Sequence, residues 1–120
     1  MEYDEIKKIL LAIPDPVEKL ETVMDFSRHL APIPQSAACA EISGCASRVR
    51  ICRADNRFYG WADSALVRGV VAIIISMVDG KTPAQIKETD IGAEFAALRL
   101  DLGAGRMNGV NSMIRFLRNL

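Results

Sequence analysis

The sequence predicts an α+β fold, with a small antiparallel sheet of about three strands packed against helices on one side. Three observations predict it. Apolar residues recur at helical spacing toward both ends of the chain. Between Cys39 and Trp61 the period shortens to alternation, with a turn in the middle. The resulting order is helices, sheet, helices, not the repeating strand–helix pattern of a parallel sheet. With 120 residues, half of them apolar, the chain can bury a core of its own and leaves little room for a second domain, so one domain over 1–120 is expected.

Each element has a local cause. Ile6, Ile9, Leu10 and Ile13 share a helical face, so a first helix is expected over Tyr3 to Ala12. Pro14-Asp15-Pro16 breaks it. Asp15 suits an N-cap and Pro16 the first helical position, which starts a second helix running to about Leu30. Its inward residues should be Val17, Leu20, Val23, Met24 and Phe26. A proline-rich loop, Ala31 to Ser36, ends it. A first strand is expected around Cys39 to Ile42. A second follows, in which Val49, Ile51 and Arg53 alternate with Arg48, Arg50 and Cys52. Ala54-Asp55-Asn56 turns the chain into a third strand, Arg57 to Trp61. Asp63 or Ser64 caps a helix over Ala65 to Val78, apolar nearly all round and therefore packed across the sheet. Thr82 with Pro83 opens a short helix, and Asp90 or Gly92 opens another through Leu98. After a loop at Leu102 to Gly105, the last helix is expected from Arg106 to Leu120. Val110, Met113, Ile114 and Leu117 form its inner stripe.

Bulk properties narrow the function. Fifteen basic and fifteen acidic side chains cancel, which argues against nucleic acid as partner, since phosphate neutralisation drives that binding. The longest apolar run, Gly69 to Val78, is about half of what a bilayer span needs, so no membrane partner is expected. MEYDEIKKIL is acidic and amphipathic, unlike an export signal. Three cysteines, an odd number, then imply free thiols in a reducing cytoplasm.

Cys45 is the leading chemical candidate. It follows Gly44 directly, in a predicted bend, with Arg48, Arg50, Arg53 and Arg57 downstream. Only a thiolate is nucleophilic, and permanently charged guanidinium groups would favour it. Gly44 opens backbone angles closed to other residues and leaves space around the sulfur. The ordinary reading of any lone cysteine is a buried packing residue, which is the simplest reading for Cys39 and Cys52. A metal or Fe–S scaffold using Cys39, Cys45 and Cys52 is an alternative. Its spacings, five and six residues between neighbours, exceed the usual two to four. His29, the only histidine, suits the helix dipole where it stands and gives no basis for a catalytic triad. No phosphate loop is present; Leu102-Gly-Ala-Gly-Arg106 is too short and follows no strand. Asp63 is an N-cap by its position, and could also hold the Cys45 loop. Arg106 is either solvent-facing or directed toward the sulfur.

Four segments, in order, resemble the SufE/CsdE sulfur-acceptor family. Gly44-Cys45-Ala46-Ser47-Arg48-Val49 resembles its GC-x-S-x-V signature. Asp63 with Ala65-Leu66-Val67-Arg68-Gly69 resembles its acidic residue before A-[IL]-V-[KR]-G. Lys81-Thr-Pro-Ala-Gln-Ile86 with Asp90, and Arg106 with Gly109 and Met113-Ile114-Arg115, resemble its last two segments. The LRLDLGAGR stretch departs from the family's usual residues before that arginine, and Arg50 stands in place of an aromatic residue.

The resemblance implies the compact fold shared with IscU-type scaffolds. It also implies that Cys45 accepts persulfide sulfur from a pyridoxal-phosphate cysteine desulfurase, stimulates that enzyme and passes the sulfur to an Fe–S scaffold complex. Asp63 would support the acceptor loop, and Arg106 would be the site arginine. Gly44, Ser47, Arg48 and Arg50 would meet the partner. No cofactor or metal of its own is implied, because the pyridoxal phosphate belongs to the desulfurase. A module that docks to a desulfurase without accepting sulfur is the remaining alternative.

Overall fold

The computed structural model describes residues 1–120. Helix α1 (Tyr3–Leu11) buries Ile6 and Leu10. Helix α2 (Pro16–Phe26) starts where Asp15 accepts from Val17 N at 3.4 Å, and it ends in a 3₁₀ turn, Ser27–His29, earlier than the expected Leu30. A three-stranded meander follows in the order β1 (Ala38–Glu41), β2 (Val49–Ala54) and β3 (Arg57–Ala62). Then come α3 (Ala65–Val78), α4 (Pro83–Glu88), α5 (Ile91–Ala97) and α6 (Ala104–Arg118).

The inner face of α2 differs from expectation. Val23 and Phe26 are buried, but Val17 and Met24 are exposed. Lys19 takes an inward place and donates from Nζ to Leu98 O at 3.1 Å. A long side chain can bury its methylenes if its charged end finds an acceptor, and the end of α5 supplies one.

Helix α3 is the central packing element. Ser64, not Asp63, caps it, with Oγ accepting from Val67 N at 3.2 Å. It packs beside α2 and across β3. Two glycines permit these approaches. A β-carbon on Gly60 would lie 2.5 Å from Val71 Cγ1, and one on Gly69 would lie 1.9 Å from Val23 O. Ile73 and Ile74 are fully buried, each stabilising the fold by about 2–3 kcal/mol. Helices α4 and α5 are started by their predicted caps, a Thr82–Gln85 capping box and Asp90. Helix α6 begins at Ala104, two residues before the expected start, after Gly103 at φ 81°. One cluster of 26 buried apolar residues joins helices and sheet.

The sheet pairs Cys39 directly with Cys52, and Cys52 with Tyr59. Cys39 and Cys52 form a disulfide, so the expectation of three free thiols is corrected. Opposed positions on an antiparallel pair bring β-carbons close, and here both residues are cysteines. Neither is simply a packing residue. They staple β1 to β2 below the loop that carries Cys45. Closing a loop of this length contributes about 3 kcal/mol in the chain-entropy account.

Candidate functional site

The loop between β1 and β2 is closed by Ile42 N donating to Val49 O at 2.9 Å. Inside it Gly44 has φ 84°, a left-handed angle that glycine adopts without strain. That angle turns the chain so that Cys45 folds back against α6. The thiol is half-buried, and Sγ lies 3.7 Å from Gly109 O, to which it donates a weak hydrogen bond. Cys45 is the one free cysteine.

Asp63 ties the far end of this loop. Its Oδ1 accepts from Arg48 N at 3.2 Å, and its own backbone N donates to Arg48 O at 3.1 Å. Its expected link to the helix cap is therefore replaced by a link to the loop. The residue's grip on Arg48 follows from β2 and β3 running side by side, with Val49 opposite Ala62.

The four arginines do not converge on the sulfur. Arg48 and Arg50 both donate to Glu41 Oε1, at 3.0 and 3.1 Å. The paired guanidinium groups hold the Glu41 carboxyl below its usual pKa, Arg50 contributing first. Arg53 donates to Asp55 O, and Arg57 to Asp79 Oδ2, both at the opposite end of the sheet. The expected arginine activation of the thiolate is thus corrected: burial instead pushes the Cys45 thiol above its ordinary pKa.

Arg106 lines the same cavity as Cys45. That cavity, about 400 Å³, is walled mainly by apolar residues, among them Val67, Val70, Leu102 and Met113. The Arg106 guanidinium donates to Leu102 O at 3.2 Å, and the side chain is otherwise exposed. Arg106 is therefore at the mouth of the cavity without bonding the sulfur. Ser47 lines the cavity as well, while Gly44, Arg48 and Arg50 lie along the loop and the outer face of the sheet. There Trp61 has Arg48 at 6.0 Å and Arg68 at 5.9 Å from its ring centroid.

The three cysteines do not form a ligand set. Cys39 and Cys52 are spent on each other, and no three of His, Cys, Asp and Glu gather elsewhere. Sequence reasoning missed the surface that receives Cys45. Gly109 carried a signal, since glycine inside a helix costs about 1 kcal/mol relative to alanine and needs a reason. The apolar walls from α3 carried none, because they read as ordinary core.

No helix is long and apolar enough to cross a membrane. A solution structure of a hypothetical protein from Thermus thermophilus has the same fold. Its TM-score is 0.77 at 12% identity, over 98% of this chain and 90% of that one. The family model described as SufE, the Fe–S metabolism associated domain, matches residues 4–120. The loop, its cysteine and α6 all lie within that match, and the chain belongs to the SufE family.

Proposed function

We propose that this protein is a sulfur acceptor of Fe–S metabolism, with Cys45 as the atom-carrying residue. A partner cysteine desulfurase presents a cysteine persulfide. The Cys45 thiol gives up its proton, and the thiolate attacks the outer sulfur. A new S–S bond forms on Cys45, the donor's S–S bond breaks, and its electron pair leaves with the donor cysteine as a thiolate. No external oxidant or reductant is needed, because one persulfide replaces another. The sulfur then passes to an Fe–S scaffold.

The single observation that carries this reading is the free Cys45, half-buried at the mouth of an apolar cavity and held by a short loop. A persulfide is easily lost to solvent thiols, so a sheltered carrier suits it better than an exposed one. Access to the donor then requires the loop to move, with Gly44 as the pivot. Asp63 anchors the loop's far end, and Arg106 stands where the arriving sulfur enters. Ser47, Arg48 and Arg50 lie on the surface that would meet the desulfurase.

The test is Cys45→Ser, incubated with a pyridoxal-phosphate cysteine desulfurase and free cysteine. Wild type should gain the mass of one sulfur atom on the Cys45 peptide, and the variant should gain none while melting normally. A variant that still stimulates the desulfurase fully would instead identify a docking module.

A further inference from the structure

The structure assigns Gly109 of α6 as the positioning residue for the acceptor thiol, its missing side chain forming the seat in which Cys45 rests. This inference rests on the acceptor role proposed for Cys45. Gly109 is buried in the sixth position of a fifteen-residue helix, where glycine is a poor helix former. A β-carbon built there would lie 3.2 Å from Cys45 Sγ, 3.5 Å from its Cβ and 3.6 Å from its Cα. The three heavy atoms nearest to it all belong to Cys45. The glycine is therefore matched first to the acceptor cysteine.

Its carbonyl adds a second function. Gly109 O accepts the S–H of Cys45 at 3.7 Å, a bond only the neutral thiol makes. A thiolate at the same place would face the carbonyl oxygen lone pairs in a partly desolvated site. The seat thus favours the protonated, unreactive form until the loop leaves. One turn along, Ser112 Oγ comes within 2.7 Å of where a β-carbon on Gly44 would be, so the same face of α6 also receives the pivot. Gly105, one turn back on α6, has nothing within 4 Å of its β-carbon position. It provides a control for the same substitution in the same helix, at an exposed position that borders the cavity but has no atom of the loop within 4 Å of its β-carbon position.

The test needs no partner protein. Gly109→Ala, Gly109→Val and Gly105→Ala would be alkylated with iodoacetamide across a pH series, and Cys45 followed by peptide mass. Losing the seat should lower the apparent pKa of Cys45. The lower pKa should raise its alkylation rate at neutral pH roughly threefold to tenfold. Gly109→Val should act more strongly than Gly109→Ala, and Gly105→Ala should match wild type. Alanine is the better helix former, so Gly109→Ala keeps α6; if Gly109→Val unfolds, the alanine variant decides. Unchanged rate and pH profile in Gly109→Ala would overturn the seat. So would an equal change in Gly105→Ala, which would trace the effect to helix propensity. Absence of sulfur on wild-type Cys45 would overturn the acceptor role instead, and leave the alkylation result standing.

Discussion

The Cys45 thiol loses part of its hydration against α6, and that loss raises its pKa above the ordinary value. The consequence for stability has a definite sign. Folded Cys45 holds its proton to higher pH than the same residue in the unfolded chain. Below about pH 8.5, the ordinary thiol value, both states keep the proton and the contribution is whole. As pH climbs from there through the raised folded value, the unfolded state binds fewer protons, so stability falls. Urea unfolding on both sides of this window should show wild type losing stability relative to Cys45→Ser at the alkaline end. Parallel pH curves for the two proteins would mean the thiol is not desolvated. Glu41 behaves oppositely, its pKa being lowered by Arg50 and Arg48, but it is fully exposed and solvent screens the effect.

Between elements, α3 comes close to α2 at Gly69. Gly69 lies against the α2 backbone, with its β-carbon position 1.9 Å from Val23 O and 2.6 Å from Val23 C. Backbone atoms inside a helix cannot step aside as a side-chain tip can. Gly69→Ala should therefore destabilise the fold by at least about 2 kcal/mol in chemical denaturation, despite the roughly 1 kcal/mol that alanine gains in helix propensity. A neutral or stabilising result would show that α2 and α3 can part without cost. The same pair of helices matters to the site, since Val67 and Val70 of α3 wall the Cys45 cavity. On the sheet, the Cys39–Cys52 bridge fixes the two strands from which the Cys45 loop springs, so the loop stands on a covalently closed base.

At the scale of the molecule, helices cover one face of the sheet and leave the other open. That open face carries Glu41, Arg50, Tyr59 and Trp61 in register, with Arg48 beside them. Two arginines against one glutamate leave a local positive charge in a chain whose total charge is zero. This face borders the Cys45 loop, so under the proposed acceptor role it is where a desulfurase would dock. Reversing both charges, Arg48→Glu with Arg50→Glu, should weaken docking to the desulfurase roughly tenfold at low salt, the order expected for two rim charges. The difference should shrink as added salt screens it. Calorimetric titration that found equal affinities at low salt would remove this face from the interface.

The sequence by itself determined the α+β order, the hairpin turn at Asp55-Asn56, the caps at Asp15 and Thr82, and which cysteine stands in the family's motif, while it left the caps of α3 and α5 between Asp63 and Ser64 and between Asp90 and Gly92. These rest on local causes: hydrophobic period, capping chemistry, and a glycine beside a cysteine in a short motif. Tertiary structure alone decided the rest. It turned Arg48 and Arg50 to Glu41 and away from the sulfur, joined Cys39 to Cys52, placed Lys19 inside and Val17 outside, and laid Cys45 on Gly109. Each outcome depends on strand register or on how closely two elements approach. Those are properties of residues far apart in the chain, and local pattern does not encode the distance between them.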